Sequence, residues 1–346
     1  MPPRSQPSTE KPYVLIPFAA DRPRQSQPDG HNVLSSKKLT GYMDLLLVAR
    51  RPLQVASGAL DVRKTGQGEE IVALQSTVAE RKADGSVQRV AVLPGSSLKG
   101  ALRSLVEAIS PSCVAVSSGA TRFAIPRPLS RCAQVERLCP ACRLFGMSGA
   151  GHDNYLGQVS IEDAHLAPGQ GGLALVRTPL LWAPARGRGG LPPRYLKGRE
   201  AAGRKVYFPS KPATGPDTRV VFKTGSVLRT RLHFENLTEG ELGLLVSALG
   251  LHPDHRFLPK LGAGKPVGLG SVEVAVEAVY LAGDVAHTGR LGGSGVRISG
   301  DEVERRLREW CQKAVGEELL VVGALKEIAN VLHPRNLDRP PVEGAY

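Results

Sequence analysis

Four cysteines of this chain, Cys113, Cys132, Cys139 and Cys142, fall within thirty residues of one another, and Cys311 stands apart. Cys139-Pro-Ala-Cys142 is a CxxC knuckle, whose spacing lets two thiolates reach one metal from a tight turn. Two further cysteines upstream complete a tetrahedral set, the pattern of a closed structural zinc site. Two other readings stay open. Neighbouring thiols can share a stretch of sequence without a common role. A CxxC can also be a redox pair, although such a pair normally opens a helix after a strand in a thioredoxin-like unit, and no such unit is legible here. His152 could replace Cys113 as fourth ligand, and Cys311, beside Trp310 in a helical pattern, reads as core. Disulfides are not expected in a cytoplasmic chain.

Two segments could meet phosphate. Leu261-Gly-Ala-Gly-Lys-Pro-Val-Gly-Leu-Gly270 is glycine-rich, with Lys260 and Lys265 beside Gly262 and Gly264. A nucleotide-hydrolysing loop needs GxxxxGK, then Ser or Thr and a helix. Here Pro266 follows the lysine and a strand follows the loop, so that chemistry is excluded. Successive glycines still let backbone N–H groups approach an anion; the plain alternative is a turn between strands. The second segment is Pro94–Arg103, where a helix N-terminus with Ser96, Ser97, Lys99 and Arg103 could bind phosphate, or could simply be a capped helix with solvated bases. Carboxylates are sparse: Asp61, Glu69, Glu70 and Asp84 precede the Pro-Gly turn. No Gly-x-Ser-x-Gly, His-Glu-x-x-His or dinucleotide fingerprint occurs.

The charge agrees with a polyanionic partner. Across 346 residues, 45 Lys and Arg oppose 32 Asp and Glu, a formal net charge of +13, and nucleic acid is the commonest partner of so basic a chain; a generally basic proteome is the bland alternative. Aromatic residues are only 5%, which argues against a platform of stacked rings and for phosphate contacts. The hydrophobic fraction of 41% excludes wholesale disorder. No apolar run approaches the ~20 residues of a membrane span, and no signal-peptide core is present. A soluble cytoplasmic protein without membrane contact is expected.

These residues need elements to hold them. Residues 1–38 carry seven prolines and read as an arm anchored at Tyr13–Phe18. Gly41–Arg50 reads as a buried strand and Pro52–Gly58 as a short second one; 59–90 is weakly patterned, with a hairpin turn at Asp84-Gly85. Apolar positions 98, 102, 105, 106 and 109 predict a helix capped by Ser96 or Ser97. Residues 166–215 hold nine Gly, seven Pro and nine Lys or Arg against one acid, Glu200, the composition of a long surface excursion. Strands are expected at 219–222, 226–235 and 271–280. Thr238 with Glu241 predicts a capping box on a helix to Leu249, and 301–331 predicts helices broken near Gly316. The fold class expected is α+β, with two βαβ-like halves around an antiparallel sheet, in one domain over 39–346 with insertions at about 110–156 and 166–215.

The combination of Leu93-Pro-Gly-Ser-Ser-Leu-Lys-Gly-Ala-Leu-Arg103, Cys139-Pro-Ala-Cys-Arg-Leu-Phe-Gly146, Gly157-Gln-Val-Ser-Ile-Glu-Asp-Ala164 and the 261–270 loop resembles the RAMP superfamily of CRISPR-associated proteins, specifically the backbone-type subunits of type III effector complexes. Phe234–Leu242 also fits, and Tyr13–Phe18 with Gly203–Phe208 resembles a subgroup of that superfamily. The resemblance implies a modified ferredoxin-like, RNA-recognition-type core with a zinc-bearing insertion and a thumb-like excursion. It implies subunits that line up along a CRISPR guide RNA, grip its backbone and interrupt pairing with target RNA. Ser96, Ser97, Lys99 and Arg103 match the guide-facing helix, Gly262–Gly270 with Lys265 the Gly-rich loop, and the four cysteines the zinc insertion. In many such subunits a loop aspartate cuts target RNA with a divalent metal such as magnesium. This chain has Ala73-Leu74-Gln75 thereabouts, leaving Asp61, or Glu69 and Glu70, as substitutes. A standalone guide-processing endoribonuclease and a non-catalytic end-capping subunit are the alternative readings.

Overall fold

The computed structural model describes residues 11–66, 68–115, 124–149, 153–181, 195–283 and 295–342. The chain enters through β1 (Tyr13–Ile16), which buries Ile16. Strand β2 (Leu39–Ala49) alternates: Met43, Leu45, Leu47 and Ala49 are buried, while Tyr42, Asp44, Leu46 and Val48 take the other face, as a two-residue period requires. Two hairpins follow, β3 (Ala56–Thr65) with β4 (Gly68–Gln75) and β5 (Thr77–Arg81) with β6 (Val87–Leu93). The weakly patterned stretch 59–90 is therefore regular structure. Every residue of β3 is exposed, so this strand has no inward face to leave an alternating signature. The Asp84-Gly85 turn lies where expected, between β5 and β6.

Helix α1 (Gly95–Ile109) buries Leu98, Leu102, Val106 and Ile109. It starts at Gly95 with Pro94 as N-cap and no side-chain cap, so Ser96 and Ser97 lie inside the first turn. The expected serine cap is replaced from a distance: the Gly95 N–H donates to Asp163 Oδ1 at 2.7 Å. Then come α2 (Pro140–Phe145), the small pair β7 (Gly146–Ser148) and β8 (Asn154–Leu156), β9 (Val159–Ile161) and β10 (Ala164–Leu166). The basic stretch after it is partly woven into sheets. Strand β11 (Leu173–Thr178) pairs with β15 (Asp217–Phe222), the two-residue β12 (Leu196–Lys197) and β13 (Glu200–Ala201) pair together, and β14 (Arg204–Tyr207) pairs with β1; its residues 182–194 lie outside the described residues. The chain closes with β16 (Val227–Leu237), α3 (Glu239–Ala248), β17 (Val272–Leu281), β18 (Val296–Ser299), α4 (Asp301–Gly316) and α5 (Val322–Val331). Thr238 and Glu241 form the expected capping box of α3, and the helical break falls just after Gly316.

The result is a mixed α+β fold with antiparallel sheets. The main sheet runs β18-β17-β2-β16-β10-β6-β5, with β9 also on β16, and each pairing is antiparallel. A second sheet runs β11-β15-β4-β3, in which β15 and β4 are parallel. Helices α1, α3, α4 and α5 pack together behind the main sheet. The approach of α3 to α4 is backbone to backbone: a Cβ on Gly243 would stand 1.8 Å from the Trp310 carbonyl oxygen. That is why a glycine lies mid-helix despite its entropic cost. No helix among the described residues is long and apolar enough to cross a membrane.

Candidate metal centre and nucleic-acid interface

The four cysteines meet. Cys113 lies just beyond α1, Cys132 on a loop, Cys139 at the N-cap of α2 and Cys142 in its first turn. All four are buried, and their sulfurs lie within 4.8 Å of one another. Cys113 Sγ stands 3.6 Å from Cys142 Sγ and 3.5 Å from Cys139 Sγ. Tetrahedral zinc at about 2.3 Å from each thiolate sets sulfurs about 3.8 Å apart, whereas a disulfide needs about 2.05 Å. Donors surround the set. The Cys139 N–H reaches Cys132 Sγ at 3.4 Å, the Cys113 N–H reaches Cys139 Sγ at 3.5 Å, and Arg103 Nη2 reaches Cys142 Sγ at 3.4 Å. Contacts with neighbouring sulfurs first, and burial after them, push the Cys113 and Cys142 thiols up; a divalent cation is what would let all four ionise together. The cluster could hold a metal ion such as zinc. The knuckle opens a helix, but a six-residue one that follows a loop and not a strand, and its sulfurs face two cysteines from elsewhere. His152 lies outside the described residues. Cys311 is buried on α4 beside Ser247 and Gly243.

The basic residues on α1 divide. Ser96 is exposed and Ser97 half-buried, but the helix end that would have bound an anion already holds the Asp163 carboxylate. Arg103 faces protein: Nε donates to Glu107 Oε1 at 3.0 Å and Nη1 to the Gly146 carbonyl at 2.7 Å, beside the contact with Cys142. Lys99, half-buried, has its pKa lowered by burial and then by Arg103. It borders a cavity of about 550 Å³ shared with Tyr42, Tyr280 and His233.

The Gly-rich loop turns inward. Gly262 adopts φ +71°, and a Cβ there would stand 2.0 Å from the Gln54 carbonyl oxygen, so this glycine serves a close backbone approach. Gly264, at φ +68°, likewise packs against Leu269. Lys265 Nζ donates to the Gly262 carbonyl at 2.8 Å. Lys260 is buried, and its Nζ has no hydrogen-bond partner. Burial first, then Lys265 and Arg51, push its pKa down to about 7. Both lysines border a cavity of about 240 Å³ with α1, Arg204 and Lys205. The lysines of the two expected phosphate-binding motifs thus border separate cavities, both lined in part by α1. The basic flank supplied by β14 falls within Gly203–Phe208, which the sequence marked for its resemblance and not as a set of candidate binding residues, and within the basic 166–215 stretch.

The candidate carboxylates do not gather. Asp61 stands opposite Val72 and accepts from the Val62 N–H at 2.9 Å, while Glu69 and Glu70 face Lys64 and Arg63 across the hairpin. Glu70 accepts from Thr218 Oγ1 at 2.6 Å and Arg177 Nη2 at 2.7 Å. The Thr218 hydrogen bond, with Arg177 adding to it, lowers its pKa. Among the described residues, the cysteines are the only group of three or more His, Cys, Asp or Glu placed to share a metal, and nothing supports magnesium.

A family model described as the RAMP superfamily matches residues 65–273. Among solved structures, a chain of a Type IV-B CRISPR Complex aligns over 68% of this chain and 90% of its own length, at 17% identity and a TM-score of 0.39. No curated protein matches the sequence.

Two outcomes are expected. Elemental analysis of the purified chain should find about one equivalent of zinc, falling below about half in Cys142→Ser, with chelation lowering the melting temperature; metal-free protein that melts unchanged would refute the site. For Lys260, the folded state binds the proton less tightly than the unfolded state. Stability should therefore rise with pH from about 7 towards the ordinary lysine value of 10.5, and the gain should be lost as pH falls back through that window. Lys260→Met should flatten this slope, read from denaturant midpoints across the window.

Proposed function

We propose that this chain, which belongs to the RAMP superfamily, is a CRISPR RNA-binding backbone subunit of a type III ribonucleoprotein effector in antiviral defence, gripping its guide by phosphate contacts. The observation that carries the reading is the family match itself, which spans α1 and the Gly-rich loop together. The lysines of both motifs support it, since Lys99 borders one cavity, and Lys260 and Lys265 border another together with Lys205 of β14. Target RNA and other effector subunits are the further partners of this reading.

The architecture is consistent with a modified ferredoxin-like core. With the β3–β6 hairpins set aside, the chain order β2, α1, β10, β16, α3, β17 is βαββαβ, and the sheet order is β17-β2-β16-β10. On this reading residues 39–346 are one core, 110–156 is a zinc-bearing insertion and 166–215 is the thumb-like excursion, with residues 1–38 as an arm. The commitment of Glu70 to Thr218 and Arg177 favours a subunit that binds RNA over one that cuts it, with Asp61 and Glu69 as the remaining candidate carboxylates for cleavage on that hairpin.

A salt titration of guide-length RNA binding tests the grip. Log affinity should fall with log salt by about 0.7 per phosphate contacted, and Lys99→Ala should lower that slope by roughly one contact's worth. An affinity indifferent to salt would sink the phosphate model. In the assembled complex, Asp61→Ala should leave target cutting unchanged; abolished cutting with intact guide binding would restore Asp61 as catalytic.

A further inference from the structure

Among the described residues, the helices pack on one face of the main sheet and none packs on the other. On that second face a single ladder row crosses four strands: Arg297 on β18 stands opposite Tyr280 on β17, Tyr280 opposite Tyr42 on β2, and Tyr42 opposite His233 on β16. With strands about 4.8 Å apart, the row spans roughly 14 Å. Its side chains form a column. The Tyr42 and Tyr280 rings stack, with centroids 4.4 Å apart and planes inclined at 24°. The Arg231 guanidinium lies 4.0 Å from the Tyr42 centroid, and that of Arg297 lies 5.6 Å from the Tyr280 centroid. His233 stands 5.8 Å from Tyr42.

The charges here are largely answered within the protein. Arg231 Nε donates to Asp44 at 2.8 Å, and His233 Nε2 pairs with Glu162 at 2.6 Å. Glu235 also borders the cavity. What the column offers is therefore planar surface at its ends, since the Tyr42 ring lies between Arg231 and Tyr280, with Arg297 exposed at one end and donating to the Tyr280 hydroxyl. Beside it opens the cavity of about 550 Å³ that Lys99 borders, a volume within the range that holds small ligands. Flat rings and guanidinium planes accept any nucleobase, because every base has a π face. A lysine bordering the same cavity can meet the phosphate that follows the base.

We propose that the column Arg231, Tyr42, Tyr280 and Arg297, whose two tyrosines share a cavity with Lys99, is a stacking site for unpaired bases of single-stranded RNA. The proposal rests on the RNA-binding reading and adds to it a place where bases, and not only phosphates, are held. Paired bases cannot enter, since their faces are already covered by their neighbours in the helix.

The test uses the full chain and fluorescence anisotropy with oligouridylate and oligoadenylate 12-mers, alongside a 12-base-pair RNA duplex. Tyr280→Ala and Tyr42→Ala should each weaken single-strand binding about 5- to 150-fold, leave the salt slope unchanged and spare the duplex. Tyr280→Phe should stay within about twofold of the parent, as a ring without its hydroxyl still stacks. Photocrosslinking of a 4-thiouridine oligomer to the parent chain supplies a readout independent of any variant's folding, and should label peptides carrying Tyr42 or Tyr280. Crosslinks confined to other peptides, or Ala variants that melt like the parent and bind single strands as tightly, would overturn the stacking site. If Lys99→Ala weakens binding while both Ala variants do not, the stacking site alone falls. If the parent chain holds no RNA at low salt, the RNA-binding reading falls, and this site with it.

Discussion

The buried carboxylate of Glu107 is the point on which much of the molecule is fixed. Its side chain is 1% exposed and bridges Arg103 at 3.0 Å and Arg204 at 2.8 Å. A carboxylate removed from water is tolerated only when it is paired and hydrogen-bonded, and removing one partner of such a group typically costs about 3–5 kcal/mol. Here the two partners reach in different directions. Arg103 continues to the Gly146 carbonyl and Cys142 Sγ, joining α1 to the cysteine centre. Arg204 begins β14, which pairs with β1 and so ties that strand to the helix. One desolvated charge thereby aligns a helix, a metal-competent cluster and strand β1.

That arrangement decides what α1 can offer a ligand. A helix N-terminus is a ready anion site, yet Asp163 already accepts from Gly95 there, and mid-helix Arg103 is held inward by Glu107. The helix is left with its flanks. Lys99 borders the cavity beside the sheet, and the Lys260 and Lys265 cavity lies on the other flank. The low pKa of Lys260 reflects the cost of placing a cation without a partner in a buried site, a cost that an entering phosphate would offset. The net charge of +13 is thus a poor guide to any single surface. On the sheet face, Arg231 and His233 are paired with acids and the rings come to the fore.

Bulk composition is equally silent on where the rings fall. An aromatic content of 5% argued against a stacking platform, but a platform requires only two or three rings on neighbouring strands. Tyr42 and Tyr280, separated by more than two hundred residues, supply two of them in direct contact. Seven tyrosines are enough when register, not abundance, sets where they fall.

Strand β2, helix α1, the capping box of α3, strand β17 and the break after Gly316 were legible from sequence, because each is written in local periodicity or in a cap a few residues long. The four cysteines were legible as a set for a related reason: ligand chemistry narrows the residue types, and CxxC spacing already brings two of them to one point. The fully exposed β3, the Asp163 cap, the burial of Lys260 and the inward turn of Arg103 were not, since each depends on a partner far away in the chain. A strand's two-residue period says that Tyr42 faces away from Met43. Which strand lies beside it, and in what register, is settled by packing over the whole sheet. Only that long-range choice places Arg297, Tyr280, Tyr42 and His233 in one row.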